Sequence, residues 1–242
     1  MMKAMLASSS RTWLDEVQAD SPIALWLMQE ASGTTMTATV GPAGAYSASG
    51  ITYQAAGPGK AALPAAAQFS GTGSGASAAV NLSTLAPRLL TVCWWMYWNA
   101  FANNDALAFE FTGNAGTGTN RGFYIDPNSG SPLNGTMALM NGDGAGFYRA
   151  EGFARPSAAA WHHYAATFDR NTPDVGLYID GIAITPSPVL TPGWTASDFA
   201  NASLYFMCRN LSNLRGAGRM AGVSLHPSIL SAARIAAHFA GA

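Results

Sequence analysis

Apolar and polar residues alternate along most of the chain in short runs, which is the pattern of half-buried β-strands. The runs are rich in aromatic and β-branched residues, and clusters of Gly, Asn, Pro and Asp separate them. No helical segments alternate with these runs, so the pattern predicts an all-β fold in which two antiparallel sheets pack as a β-sandwich. The predicted strands cover residues 23–29, 91–98, 106–111, 122–126, 136–140, 147–153, 161–168, 175–181, 203–208 and 220–225. The Gly-, Ala- and Ser-rich stretches are predicted loops, at residues 41–50, 71–79 and 113–120.

Apolar residues recur at helical spacing only near the two ends of the chain. Residues 4–18 predict one short helix, which ends before Pro22. A second helix is predicted within residues 228–241, with Ser228 as its N-cap and Gly241 at its end. The apolar faces comprise Met5, Leu6, Trp13, Leu14 and Val17 in the first helix, and Ile229, Leu230, Ala233, Ile235 and Phe239 in the second.

The N-terminal helix is separate from the strand pattern that follows it. We therefore predict a helical docking arm over residues 1–20 and a β-sandwich over residues 21–242. The arm carries Trp13, Leu14 and Val17, whose apolar side chains are costly to expose. These side chains either pack back on the sandwich or attach the arm to copies of the protein or to another partner.

The composition favours an uncharged surface. Charged residues make up 10% of the chain, against roughly 25% in an ordinary soluble domain, whereas 49% of the residues are hydrophobic. A surface of small neutral groups leaves little electrostatic repulsion to oppose self-association. The formal net charge is −1 and the 12 basic residues are scattered, which argues against nucleic-acid binding. No stretch approaches about 18 consecutive apolar residues, so membrane insertion is not expected.

The two cysteines, Cys93 and Cys208, each lie inside an apolar, strand-like run. They are either buried thiols or a disulfide pair, and a large core does not need a covalent link. No CxxC motif and no local cluster of His and Cys predicts a zinc site. His162 and His163 occupy adjacent strand positions and face opposite ways, so they cannot bind one metal ion together.

Four stretches of the chain together resemble a known family. Residues 22–35, PIALWLMQEASGTT, run from a strand rich in leucine and aromatics into a Glu-x-Ser-Gly-Thr turn. Residues 65–74, AAAQFSGTGS, join a small-residue strand to a Phe-x-Gly turn. A hairpin follows, WHHYAATFD at 161–169 and LYIDG at 177–181, and the chain closes with a strand and helix at 220–239. Together these stretches resemble the concanavalin A-like lectin/glucanase superfamily in its laminin G-like form.

The resemblance implies a concanavalin A-like jelly roll and, in many relatives, a calcium ion at the rim of the sandwich. Asp126, Asn128, Asn141 and Asp143 offer the oxygen ligands that Ca²⁺ prefers, so the cofactor is either calcium or none. The same residue types also dominate ordinary turns. Many relatives carry an acidic residue just before the final strand, where Ala221-Gly222 stand in this chain. Any role of that acidic residue is lost or moved here.

Carbohydrate binding in a lectin-like fold needs exposed aromatic faces, for which Trp194 and Tyr148 are the candidates. Each of them either contacts a sugar or packs inward. Hydrolysis of a glycan needs two carboxyl groups, about 5 Å apart in a retaining enzyme. Glu110 stands alone on its strand, and Glu30 and Glu151 are distant in sequence. We therefore expect no catalytic residues.

The resemblance and the composition together favour a non-catalytic structural or adhesion protein of a bacteriophage virion, in the tail, a fibre or the capsid surface. Laminin G-like domains recur in such particles, and the N-terminus shows no secretory signal. The expected partners are copies of the protein, other virion proteins and a host-surface glycan. The expected location is the virion, after synthesis in the host cytoplasm. A free-standing secreted carbohydrate-binding lectin module is the alternative, and a glycoside hydrolase is the third.

Overall fold

The computed structural model describes residues 11–101, 105–115, 120–129, 135–143, 146–153, 155–185 and 187–242. Within these residues, antiparallel strands form two sheets and one short helix lies near each end of the chain. The predicted all-β sandwich with two terminal helices is therefore confirmed. None of the described helices is long and apolar enough to cross a membrane.

The elements follow one another as α1 (Trp13–Ala19), β1 (Ala24–Trp26), β2 (Thr35–Met36), β3 (Gly44–Tyr46), β4 (Ile51–Lys60), β5 (Leu63–Ser70), β6 (Ala76–Asn81), β7 (Leu89–Trp98), β8 (Phe109–Phe111), β9 (Phe123–Asp126), β10 (Thr136–Asn141), β11 (Phe147–Phe153), β12 (Trp161–Asp169), β13 (Asp174–Ile179), β14 (Ile182–Ile184), β15 (Ser187–Leu190), β16 (Asn201–Phe206), β17 (Ala217–His226) and α2 (Ala232–Ala240). The eight-stranded sheet has the order β14-β13-β12-β7-β17-β5-β4, with β1 also paired to β17. The nine-stranded sheet has the order β15-β11-β10-β9-β8-β16-β6-β3-β2.

The two sheets pack through alternate residues of their strands, because successive side chains of a strand point to opposite faces. Trp94 of β7 stacks on Tyr164 of the neighbouring strand β12, with ring centroids 5.2 Å apart. The same indole meets Phe109 of the other sheet edge-on, at 5.0 Å. Burying an aromatic side chain of this kind contributes roughly 1.5–3 kcal/mol. The inward positions of β7 are Leu90, Val92, Trp94, Met96 and Trp98.

Both helices cover the outer face of the eight-stranded sheet. Helix α1 packs on a cluster that includes Leu25, Leu63 and Trp95. Helix α2 packs beside it through Ile235, against Cys93 and other residues of the sheet. Among the described residues, no helix covers the outer face of the nine-stranded sheet.

The packing of α1 corrects the expected docking arm. Trp13 and Val17 are both 0% exposed, and Leu14 packs against the same cluster. Their apolar surface is thus used inside the chain's own fold and is not available to a partner. Residues 11–20 belong to the sandwich domain, whereas residues 1–10 of the predicted arm lie outside the described residues.

Gly222 shows how closely the sheet fits this helix. It lies at an irregularity of β17 with φ +59°, and an added Cβ would come within 2.7 Å of the Trp13 ring. The backbone N–H of Trp13 also donates to the carbonyl of Ala242, at 3.1 Å. The small Ala221-Gly222 pair therefore makes room for the indole.

Charged groups tie α2 to α1. Arg234 of α2 donates from Nε to the carboxylate of Asp20 at 3.0 Å and from Nη2 to the backbone carbonyl of Glu16 at 2.9 Å, and Nη2 also forms an ion pair with Glu16 Oε2 at 2.8 Å. The helix begins later than predicted, because its N-cap is Ser231, whose Oγ accepts the backbone N–H of Arg234 at 3.3 Å. Ser228, the predicted N-cap, instead accepts a hydrogen bond from a threonine of β7 at its carbonyl.

Two of the predicted loops contain strands. The structure places β3 inside residues 41–50 and most of β6 inside residues 71–79. The small residues allow close strand approach: a Cβ added at Gly44 would lie 2.6 Å from the carbonyl oxygen of Ser77. In these two stretches Gly and Ala allow close packing of strands, so the prediction of loops was wrong there. The third predicted loop, residues 113–120, lies partly outside the described residues.

The predicted hairpin is present as the antiparallel strands β12 and β13, and a tight turn into β14 follows it. Asp180 and Gly181 connect β13 to β14 with φ values of 52° and 77°, as a tight two-residue turn requires. The Asp180 carboxylate bonds His162 Nδ1 at 2.7 Å and accepts the backbone N–H of His163 at 2.9 Å. As predicted, His162 and His163 face opposite ways, since the His163 ring lies under α2.

Candidate functional site

One row of side chains crosses the outer face of the nine-stranded sheet. The strand register places Tyr205, Glu110, Tyr124, Leu139 and Arg149 on the neighbouring strands β16, β8, β9, β10 and β11, in that order. Side chains alternate along each strand, so this row points away from the core. We call these five residues the outer row. The residues that flank them point inward, among them Phe109, Phe111, Phe123, Ile125, Ala138 and Met140.

Glu110 is fully buried in the outer row and pairs with Arg209. Its Oε1 accepts a hydrogen bond from Arg209 Nε at 2.8 Å, and Arg209 Nη2 donates to the carbonyl of Ala115 at 3.1 Å. Burial raises the pKa of Glu110 to about 7, although the Arg209 charge opposes this rise. The pair holds the guanidinium 5.9 Å from the centroid of the Tyr124 ring.

A cavity of about 120 Å³ opens beside this ion pair, and we call it the outer-face pocket. Its polar walls are Asp105, Tyr124, Asp126 and Arg209, and its apolar walls are Leu107, Met137 and Leu214. Burial raises the pKa of Asp126 to about 7, and the Asp105 charge adds to this rise, while backbone N–H groups oppose it. The pocket thus joins carboxylates, a guanidinium and an aromatic ring in a space for one small ligand group.

A larger hollow of about 230 Å³ lies on another part of the surface. Its main ionisable group is Glu30, which already accepts hydrogen bonds from the Tyr46 hydroxyl and the Thr37 backbone, both at 2.7 Å. Those bonds hold the Glu30 side chain against β3 and the residue that follows β2, so this hollow offers fewer converging groups than the outer-face pocket. It is lined by Leu27, Gln29, Glu30, Thr37 and Thr39.

The structure does not bring the four predicted calcium ligands together. Asp126 lies opposite Met137 in the β9–β10 ladder, and Asn141 lies four positions further along β10, or about 13 Å at the rise of a strand. Asn128 stays near Asp126, whose Oδ1 accepts its backbone N–H at 2.8 Å. Asp143 follows Asn141 at the opposite end of the ladder. The four residues therefore do not form one site, because the hairpin register separates the two turns that offer these oxygens.

The two predicted sugar-binding aromatics do not stand free on the surface. Tyr148 is 8% exposed and faces the core, and its hydroxyl donates to Asp174 Oδ1 at 3.3 Å. Trp194 is half-buried, packs against the main core and lies 5.6 Å from the guanidinium of Arg170. Arg170 is itself buried and donates to the backbone and hydroxyl of Ser197, both at 2.8 Å. Trp194 thus helps to anchor its loop.

The carboxylates considered for hydrolysis are held in separate places. Glu30 accepts hydrogen bonds from Tyr46 and Thr37, and Glu151 pairs with Arg149. Glu110 and Asp126 are diagonal neighbours on β8 and β9, but they are 0% and 1% exposed. A glycosidase needs two carboxyl groups that both face the substrate. Among the described residues, none of these carboxylates forms an open pair of that kind.

A second group of chemically active side chains lies under α2, on the other side of the molecule. One ligand atom each from Cys93, His163 and His238 all lie within 4.8 Å of one another, and all three residues are buried. Cys93 and Cys208 are free thiols in different parts of the sandwich, which resolves the alternative left open by the sequence. Burial lowers the pKa of His163 to about 3.

Sequence reasoning found Glu110 and Asp126 but missed the residues that make a pocket around them. Tyr124 alternates with the inward-facing Phe123 and Ile125, so its outward direction was readable from the strand pattern. No sequence pattern pointed to Arg209 or Asp105. Arg209 is separated by 99 residues from Glu110, and Arg209 and Asp105 both lie in segments that connect strands.

Several solved structures have a similar fold. Domain 4 of AbnA, an extracellular arabinanase from Geobacillus stearothermophilus solved with arabinotriose, is 16% identical with a TM-score of 0.62, over 90% of this chain and 97% of that chain. The ligand-binding domain of botulinum neurotoxin serotype D, solved with N-acetylneuraminic acid, is 10% identical with a TM-score of 0.66, over 93% of this chain and 52% of that chain. A Trypanosoma rangeli sialidase is 14% identical with a TM-score of 0.64, over 96% of this chain and 35% of that chain.

These likenesses show the fold alone. The chain spans about half of the neurotoxin chain and about a third of the sialidase chain, and the group contains both binding domains and enzymes. No characterised protein sequence matches this chain significantly. A laminin G-type family model of the concanavalin A-like lectin/glucanases superfamily matches residues 69–236. The chain therefore belongs to the concanavalin A-like lectin/glucanases superfamily.

Proposed function

We propose that the chain is a non-catalytic carbohydrate-binding domain that holds one sugar residue of a neutral glycan in the outer-face pocket. The observation that carries the proposal is the convergence of Asp105, Tyr124, Asp126 and Arg209 on one small cavity. Carboxylates and a guanidinium bind sugar hydroxyls, and an aromatic ring packs against sugar C–H groups. Domain 4 of the arabinanase and the neurotoxin domain, solved with arabinotriose and N-acetylneuraminic acid, support a saccharide ligand.

The charges around the pocket favour a neutral sugar over an acidic one. Arg209 is the one cation among the lining residues, and its Nε already donates to buried Glu110 at 2.8 Å. Asp105 and Asp126 add two carboxyl groups to the wall. These carboxylates would repel an anionic sugar, and the guanidinium in the wall is already paired with Glu110, whereas sugar hydroxyl groups donate to carboxylates.

The test is a titration of the full chain with neutral oligosaccharides, arabinotriose among them, and with N-acetylneuraminic acid. Tyr124→Leu removes the aromatic face and keeps most of the bulk, so it should raise Kd at least about tenfold, which is about 1.4 kcal/mol. Tyr205→Leu is the matched control, because Tyr205 lies in the outer row on the other side of Glu110 and does not line the pocket. Equal effects of the two variants, or a preference for the acidic sugar, would contradict the proposal.

The absence of catalysis is a separate part of the proposal. Glu110 supports it, because this carboxyl group is 0% exposed, is paired with Arg209 and does not line the pocket. Incubation with the glycans that the protein binds should release no reducing sugar. Turnover that disappears in Glu110→Gln would show that the buried carboxyl is catalytic.

We further propose that the chain acts as a structural or adhesion component of a bacteriophage virion, in contact with copies of itself. The low charge, 10% of residues, supports self-association. The edge strands β14 and β15 also carry Ile182 and Leu190, which are 68% and 53% exposed, and edge strands offer unpaired backbone groups.

Mass spectrometry of the purified phage particles should detect the chain. Light scattering should show an oligomer that Ile182→Lys with Leu190→Lys dissociates, and a monomeric wild type would contradict the self-association.

A further inference from the structure

The buried group under α2 consists of residues from three different elements. Cys93 lies on β7, His163 on β12 and His238 on α2. Their exposed fractions are 1%, 1% and 0%, and their ligand atoms lie within 4.8 Å of one another. The group lies apart from the outer-face pocket, since it is on the outer face of the opposite sheet.

The nitrogen atoms of this group are poorly satisfied. Neither Nδ1 nor Nε2 of His163 has a hydrogen-bond partner among the described residues, and neither does Nδ1 of His238. A buried polar atom without a partner is costly, so such atoms in a core call for an explanation such as a bound ion. The ring of His163 packs against Trp95 and Phe239, which excludes water from its sides.

His238 is also held in the orientation of a metal ligand. Its Nε2 bonds Asp20 Oδ2 at 2.8 Å, which leaves Nδ1 as the nitrogen available to the group. Histidines that bind metals usually have their second ring nitrogen on a carboxylate or carbonyl. Asp20 is fixed in turn by Arg234, at 3.0 Å.

We propose that Cys93, His163 and His238 form a binding site for a zinc-class divalent metal ion. Thiolate and imidazole ligands select such ions, with tetrahedral geometry. Zn–S and Zn–N bonds of about 2.3 and 2.0–2.1 Å place ligand atoms roughly 3.3–3.6 Å apart, so the group must contract by only about 1 Å. Cys93 binds as the thiolate and its proton passes to solvent. The fourth position takes one water molecule that is enclosed with the ion as the chain folds.

The ion has a structural role in this arrangement. It links α2 to two central strands of the eight-stranded sheet, in addition to the contacts that Ile235 and Phe239 make with that sheet. Because the group is buried, the ion enters as the chain folds. Loading therefore requires refolding with the metal and does not occur by soaking the folded protein.

The test refolds the full chain from denaturant with a phosphine reductant, in the presence of Zn²⁺, Co²⁺ or a chelator. We expect one metal ion per chain after gel filtration, and a thiolate-to-cobalt charge-transfer band in the near ultraviolet. Cys93→Ala should remove this band. His238→Asn should weaken metal binding by about tenfold to a hundredfold. Cys208→Ala is the matched thiol control and His162→Asn the matched imidazole control, and both should keep the band.

Two results would overturn the proposal: wild-type protein that refolds in zinc without retaining it, and a cobalt band that survives in Cys93→Ala. Near-ultraviolet circular dichroism reports whether each variant folds. If Cys93→Ala does not fold, the wild-type chain decides the question. Its melting temperature must then be higher after refolding in zinc than after refolding in chelator, and an equal melting temperature rejects the site.

Discussion

Replacement of Glu110 by Gln gives a quantitative test of the buried ion pair in the outer row. Gln keeps the shape and an oxygen acceptor for Arg209 Nε but removes the ionisable group. The pKa of Glu110 is raised from 4.5 to about 7 by burial, so the folded chain binds this proton more tightly than the unfolded chain. The stability that this group contributes is therefore fully present below about pH 4.5 and is lost as the pH rises through 7.

The expected size of the effect follows from the two pKa values. A rise from 4.5 to about 7 corresponds to about 3 kcal/mol of unfolding free energy, lost by the wild type between pH 4.5 and pH 8. The side chain is 0% exposed, so solvent does not screen this effect. Glu110→Gln does not lose it, and its unfolding free energy relative to wild type should improve by about 3 kcal/mol over the same range.

Urea denaturation of both proteins at half-unit steps from pH 4.5 to pH 8 measures this difference. Other groups, such as Asp126, titrate in both proteins and cancel in the comparison. Glu151→Gln is the matched control, because Glu151 lies on the same sheet and pairs with Arg149. If wild type and Glu110→Gln show the same pH dependence, Glu110 is ionised throughout and our account of its burial fails.

Three further results are expected. Trp13→Ala should lower the unfolding free energy by about 3–5 kcal/mol, because the indole is fully buried in the chain's own fold; an unchanged melting temperature would mean that α1 is not docked. Millimolar calcium should leave the melting temperature unchanged, since Asp126 and Asn141 lie at opposite ends of a ladder; a shift that grows with calcium concentration would contradict this geometry. Cys93 and Cys208 should both react with thiol reagents only after denaturation, and one mole of disulfide per chain would refute their assignment as buried thiols.

The strand pattern predicted the fold because each strand of a sandwich has one face on the core. In β7 the inward series that includes Val92, Trp94 and Met96 was readable directly from alternation. The prediction of strands failed where small residues replace large ones, as at Gly44. The alternation of apolar and polar residues is weak there, although the strands approach each other closely.

The position of α1 was not predictable from its own sequence. An amphipathic helix has an apolar face, but that face does not specify which surface covers it. The surface is shaped by Gly222, about 200 residues away from Trp13, and by the C-terminal residues that bond to the helix. Burial of Trp13 in the same chain therefore depends on long-range contacts that a local pattern does not contain.

The candidate sites show the same limit. Asp126 and Asn141 looked like one calcium site because both lie in turns, yet the register of their hairpin places them far apart. Cys93, His163 and His238 have no metal-binding spacing in sequence, and only the packing of α2 on the sheet brings them together. Sites built from distant elements need the topology before their chemistry becomes visible.

Nuclear magnetic resonance of the full chain can show whether the outer-face pocket binds a neutral glycan. Titration with the neutral oligosaccharide that binds most tightly should shift the Arg209 Nε–H resonance and the backbone amides of Leu107, Tyr124 and Asp126. The amide of Trp194 should not move. Shifts centred on Trp194 or on the eight-stranded sheet, with those of the pocket unchanged, would contradict the account.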